Sequence, residues 1–218
     1  MSAPQSDTEA EKLVGTTISS RYKVEAMLGS GGMGAVYLVQ HTHMRKRFAL
    51  KMLHTETSKN PEIVARFERE AMAAANLDHP NVVIASDFGR AENGAFFLVL
   101  EYLEGQTLHR VLDDGPLSVE RAVHIARQVA SALVRAQELS IVHRDLKPEN
   151  IMLITRQGDR DFVKVLDFGL AKVATQALPA GSSQQAGPAL TKHGSIFGTP
   201  KYMAPEQCVS GPVDGRTD

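Results

Sequence analysis

The chain has 218 residues, enough for one large domain or two small ones, and its 43% hydrophobic and 22% charged residues describe an ordinary globular protein. A formal net charge of −1 gives no electrostatic case for nucleic acid or an anionic membrane as partner. The lone Cys208 excludes an internal disulfide framework; with no signal-like N-terminus and no apolar run longer than residues 95–100, a cytoplasmic location and no membrane segment are expected.

Residues 1–20 are rich in Ser, Thr, Glu and Ala with little to bury, and are expected to form a disordered lead-in. From Tyr22 the pattern becomes strand-like: YKVEAML, GAVYLVQH and RFALKML are short, β-rich and separated by turn residues. Asn60 can cap a helix that Pro61 opens and that runs to about Asn76. Two further strands are expected near NVVIASDFG and AFFLVLEYL. After Gly105 the character changes. Ser118 can cap a long helix over 119–139, in which Val119, Val123, Ala126, Ala130 and Leu133 recur at the spacing of a core-facing stripe. A charged loop, IVHRDLKPENIM, follows, then a hairpin through IMLI and FVKVLDFG. The stretch 174–195, low in bulky apolar residues, is expected to be mobile.

Gly29, Gly31 and Gly34 form G-x-G-x-x-G, a spacing shared by plain hairpin turns, dinucleotide folds and phosphate flaps. A dinucleotide fingerprint must open a helix, whereas AVYLV after Gly34 reads as a strand, which suits a flap closing over phosphates. Lys51 sits on a strand, and taken alone reads as a solvent-facing residue of a sheet edge. Glu70 follows Arg66 by four residues, so an exposed helical ion pair is its ordinary alternative. In the charged loop Asp145, Lys147 and Asn150 lie close together, and Asp167 ends the next hairpin. Asn150 and Asp167 supply oxygen ligands suited to a hard ion such as Mg²⁺, leaving Asp145 to accept a proton. HTHMRKR at 41–47 reads as an exposed turn between strands, and Cys208 has no visible activating group.

Taken together, GSGGMG with Val36, the FALK lysine, the helix glutamate, HPN at 79–81, HRDLKPEN, DFG and APE at 204–206 resemble the protein kinase family. Within it, the chain is similar to the bacterial serine/threonine kinases of eukaryotic type, from about Arg21 to Asp218. The resemblance implies an α+β, bilobal kinase-like fold. Its small lobe, 21–103, would be an antiparallel sheet plus one helix, and its large lobe, 104–218, mostly helical and incomplete. It implies transfer of the ATP γ-phosphate to Ser or Thr hydroxyls of a protein substrate, with ATP and Mg²⁺ as cofactors.

By the same resemblance, Leu28, Gly29, Gly31 and Gly34 line the ATP phosphate side, and Val36, Ala49 and Met152 sandwich the adenine. Glu101 and Leu103 offer backbone hydrogen bonds at the hinge, with Leu100 behind the pocket and Glu104 a candidate for ribose or substrate contact. Lys51, held by Glu70, binds the α- and β-phosphates, Asn150 and Asp167 hold Mg²⁺, Asp145 is the base, and Lys147 lies near the γ-phosphate. Arg144 meets an activation-loop phosphate, with Thr191 the first candidate and Ser195 the second, while Thr199 packs against Asp145 and Lys147. An Asp matching Asp218 bonds in relatives to the catalytic-loop backbone and opens a central helix that GRTD only begins. Relatives also dimerise through the small lobe. The alternative function is a nucleotide-binding or interaction fragment without catalysis.

Overall fold

The computed structural model describes residues 12–168, 200–209 and 211–218. The first half of these residues folds as a six-stranded antiparallel sheet. Its strands are β1 (Thr17–Ile18), β2 (Tyr22–Gly31), β3 (Gly34–His41), β4 (Arg47–Leu53), β5 (Ala85–Arg90) and β6 (Phe96–Glu101), in the spatial order β1-β2-β3-β4-β6-β5. Alternation along each strand divides its residues between two faces. Tyr22, Val24, Tyr37, Val39, Phe48, Leu50, Phe97 and Val99 form one buried cluster. The opposite face carries Leu53, Leu98 and Leu100, and is covered by helix α1 (Pro61–Asn76) through Phe67 and Ala71.

Helix α1 starts where its cap residue allows. Asn60 Oδ1 accepts from the N–H groups of Glu62 (3.0 Å) and Ile63 (3.4 Å), a cap that contributes about 1 kcal/mol. Phe67, Glu70, Ala71 and Ala74 fall on one stripe and are buried. The expected strand near NVVIASDFG begins only at Ala85. Val82 and Val83 instead dock on the second half of the chain, by a parallel bridge from Val82 to Val165 and a 3.0 Å bond from Val83 N–H to the Val165 carbonyl. Of the expected lead-in, residues 12–20 are described, and they are not a loose segment. Ile18 pairs with Tyr22 and is buried, and Leu13 packs on the same core, so Thr17–Ile18 form a strand of the sheet and Leu13 is anchored on it.

The second half contains a three-stranded antiparallel sheet, β7 (Gly105–Thr107), β8 (Ile151–Arg156) and β9 (Asp159–Val165), with helices α2 (Leu108–Asp113) and α3 (Val119–Glu138). Ser118 Oγ accepts from Arg121 N–H at 3.3 Å, capping α3 as expected. Its packing face differs from the expected stripe. Ile125, Val129, Ala132 and Ala136 meet Ile151, Leu153, Val163 and Val165, whereas Val119 is 75% and Val123 52% exposed, Ala126 and Ala130 are exposed, and only Leu133 of the expected set touches the core. The helix is apolar on two faces, and helical spacing alone does not say which one meets the sheet. The stretch 174–195 lies outside the described residues. After it come a 3₁₀ turn, Pro200–Tyr202, and the short helix α4 (Pro205–Cys208).

Candidate active site

Lys51 lies on β4 between β3 and β6, not at a sheet edge. The register pairs it with Val36 and Leu98, so its side chain leaves the face that α1 covers. Lys51 Nζ donates to Glu70 Oε1 at 2.9 Å and to Asp167 Oδ1 at 3.0 Å. Glu70 therefore pairs with a lysine of the sheet rather than with Arg66 of its own helix. Three groups 19 and 116 residues apart in sequence form one charged cluster. Burial would lower the Lys51 pKa, but the Asp167 and Glu70 charges outweigh it and hold the ammonium above its ordinary value. Burial pushes the Glu70 carboxyl up to about 8 against the pull of Lys51. Its Oε2 finds no hydrogen-bond partner among the described residues. Burial acts on Asp167 in the same upward sense, yet Lys51 prevails and keeps it low.

The charged loop places a second cluster beside the first. Asn150 Nδ2 donates to the Asp145 carbonyl (2.8 Å) and to Asp145 Oδ2 (3.1 Å), and Lys147 Nζ lies 2.8 Å from the same Oδ2. The loop is built on His143, which is fully buried. Its Nε2 lies 2.7 Å from the Leu166 carbonyl, which can only accept, and its Nδ1 accepts from Asp145 N–H at 3.2 Å. These two bonds select the neutral imidazole with the proton on Nε2, in line with burial lowering the His143 pKa. Asp218 fixes the same loop, accepting from His143 N–H (2.6 Å) and Arg144 N–H (2.7 Å), the contact implied by the resemblance. Arg144 (φ 67°) and Asp167 (φ 56°) both adopt the left-handed region, at a cost of about 1–3 kcal/mol each that such bonds must offset.

The three loop glycines separate by cause. A Cβ on Gly34 would fall 2.0 Å from the Met52 carbonyl oxygen, so β4 itself demands glycine there. A Cβ on Gly29 or Gly31 would meet nothing within 4 Å, which leaves open space at those positions. The segment after Gly34 is a strand, so the helix required by a dinucleotide fold is absent at that place. Leu28 is largely exposed, and Val36 is half-buried on the Lys51 face. Ala49 pairs with Leu100 and packs, with Leu103, against the cluster beneath α1, whereas Met152 is half-buried on β8 between inward-facing Ile151 and Leu153. Glu101 N–H donates to the Ile84 carbonyl at 2.9 Å and so is not available to a ligand. Thr191, Ser195, Thr199 and Gly169 of the DFG triplet lie outside the described residues.

Two side chains central to this arrangement were not singled out from the sequence. Lys164, 2% exposed on β9, donates to Glu101 Oε1 (2.6 Å) and to the Val82 carbonyl (3.0 Å), and Glu101 Oε1 also accepts from Ile84 N–H at 2.9 Å. This ion pair links the ends of the two sheets. A lysine in the run VKV was its signal, since a strand apolar on both sides rarely carries an unpaired charge. Gln207 bonds to the charged loop from α4, at the Arg144 carbonyl, and only its place after APE marked it.

The oxygen donors Asp167 and Asn150 fit a hard divalent cation. The bonds that Asn150 makes to Asp145 both use Nδ2, so neither occupies its Oδ1. No three His, Cys, Asp or Glu side chains among those residues could hold a metal by themselves. One carboxylate and one amide oxygen suit an ion that completes its shell with phosphate oxygens and water.

Comparison with known proteins agrees with this geometry. The model of the protein kinase domain matches residues 22–218. The serine/threonine-protein kinase Pkn3 of Myxococcus xanthus is 46% identical over 211 residues, 96% of this chain and 37% of that protein. PrkC of Bacillus subtilis is 36% identical over 207 residues, 94% of this chain and 30% of that protein. The chain thus spans about a third of the length of these relatives. The crystal structure of the Mycobacterium tuberculosis PknI kinase domain superposes with a TM-score of 0.69 at 31% identity, covering 94% of this chain and 70% of that one. With the matched region embracing both charged clusters, the chain belongs to the protein kinase domain family.

Proposed function

We propose that the chain carries the catalytic machinery of a serine/threonine protein kinase that transfers the γ-phosphate of ATP to protein hydroxyls. One observation carries the reading: Lys51, Glu70 and Asp167 form one ionic cluster, and Asp145, Lys147 and Asn150 form another, both at the open end of the β8–β9 hairpin, where Ile151 pairs with Val165.

Phosphoryl transfer asks the protein for positioning and charge compensation more than for covalent chemistry. Lys51 binds the α- and β-phosphates, and Glu70 holds its ammonium in place. Gly29 and Gly31 leave room for the phosphate chain, and Val36, Ala49, Leu103 and Met152 enclose the base. Asp167 and Asn150 hold the divalent cation, Mg²⁺ in this reading, which offsets phosphate charge when bound. Asn150 and Lys147 both occupy Asp145 Oδ2, so Oδ1 is the oxygen that accepts the proton of the substrate hydroxyl. Lys147 stays beside that carboxylate and faces the incoming phosphate. Arg144 answers a phosphate on Thr191 or Ser195, and Thr199 supports substrate docking.

The test is label transfer from γ-labelled ATP to a basic acceptor protein, with Mg²⁺, by the chain and by Asp145→Asn. The variant should lose at least about a thousandfold in kcat while ATP still raises its melting temperature. Equal rates in both proteins would refute the reading. Nucleotide stabilisation without transfer in either would reduce the chain to a nucleotide-binding module.

A further inference from the structure

Gln207 is 8% exposed, and both ends of its amide are used. Its Oε1 accepts from Ala204 N–H at 2.9 Å, and its Nε2 donates to the Arg144 carbonyl at 2.7 Å. That carbonyl belongs to the planar peptide unit whose N–H is that of Asp145. The Asp145 N–H points to His143 Nδ1 at 3.2 Å, so the unit is gripped on one edge by Gln207 and on the other by His143. Arg144 also holds φ at 67°, a conformation that an L-residue keeps only where its surroundings impose it. Asp218 secures its N–H at 2.7 Å, and Gln207 secures its carbonyl.

We propose that Gln207 is a positioning residue for phosphoryl transfer: through the Arg144 carbonyl it sets the peptide plane that carries Asp145. The segment 204–208 and the base are thereby one mechanical unit, and displacing α4 would turn Asp145. The inference rests on the kinase reading for its catalytic consequence. The chemistry singles out glutamine. The two backbone partners are a donor and an acceptor, and an amide presents an acceptor at one end and a donor at the other. A carboxylate of the same shape keeps the bond from Ala204 and sets an acceptor against the Arg144 carbonyl. An aliphatic side chain makes neither bond.

The experiment compares the chain with Gln207→Glu and Gln207→Leu, reading kcat, KM for ATP, melting temperature and hydrogen exchange at the Arg144 and Asp145 amides. In Gln207→Glu, kcat should fall about five- to thirtyfold with KM for ATP within about twofold, while exchange at the two amides quickens and that of β6 does not. Gln207→Leu should show the same loss of kcat and the same local exchange, together with a lower melting temperature. Wild-type kcat in Gln207→Glu, with or without faster exchange, overturns the positioning role. If the unmodified chain transfers no phosphate, the kinase reading fails on its own ground. Unchanged exchange at Arg144 and Asp145 then overturns the grip, and faster exchange upholds it.

Discussion

Lys51 reaches Glu70 across the interface between sheet and helix, Nζ to Oε1 at 2.9 Å, and the glutamate end of that pair is the more deeply buried. Breaking a buried pair from one side leaves a charge or a proton in the wrong place. Lys51→Met should therefore cost about 2–4 kcal/mol of stability and lower kcat/KM at least about a hundredfold. Glu70→Gln should cost less, because the carboxyl is already pushed up to about 8 and an amide matches its protonated shape. Chemical denaturation and initial rates on both variants check the order.

The glycine loop should separate into two classes. Gly34→Ala drives a Cβ into the Met52 carbonyl and should lower the melting temperature by several degrees. Gly29→Ala and Gly31→Ala meet open space and should leave stability within about 0.5 kcal/mol, raising KM for ATP instead. Thermal scans with and without nucleotide distinguish the two.

The link between Lys164 and Glu101 should behave as a coupled pair. Lys164→Met leaves a carboxylate with a quarter of its surface exposed and no cation, and should cost about 2–3 kcal/mol. Lys164→Met combined with Glu101→Leu should recover at least about 1 kcal/mol of that loss in a double-mutant cycle.

Two histidines should withdraw stability on acidification below about pH 6.5, their ordinary value. Burial holds the folded-state pKa of both His143 and His79 below that value. Below it the unfolded chain binds protons that the folded chain does not, so each histidine withdraws stability as pH drops toward its folded value. The Glu70 carboxyl, pushed up to about 8, adds stability over the same range and offsets part of the loss. Each group can contribute a slope of at most about 1.4 kcal/mol per pH unit. Denaturation between pH 8 and 5 reads the difference: His79→Gln should lose less stability than the unaltered chain between about pH 6.5 and 5.

Much of this was legible in the residues themselves. Alternation placed β2, β3 and β4, and Asn60 followed by Pro61 placed the start of α1, because these signals are local. The HRD and DFG runs marked the charged residues of the site by resemblance. Partners were legible only where the family supplied them, as for Lys51 with Glu70. The bonds of Lys164 to Val82 and of Gln207 to Arg144 close loops of 82 and 63 residues, and no periodicity encodes such a contact. The face of α3 was misread for a related reason. Val119 and Val123 keep helical spacing as well as Ile125 and Val129 do, and only the sheet decides which row is buried. Residues 12–20 were undervalued because Leu13 and Ile18, two apolar residues separated by mostly small and polar ones, carry the contacts that order them.

The most direct measurement is phosphoamino-acid analysis of an acceptor protein labelled by the chain from γ-labelled ATP and Mg²⁺, run beside Asp145→Asn. Label on serine or threonine, lost in the variant, is the predicted result. Label that persists in Asp145→Asn, or that appears on neither hydroxyl residue, would contradict a site in which Asp145 accepts the substrate proton.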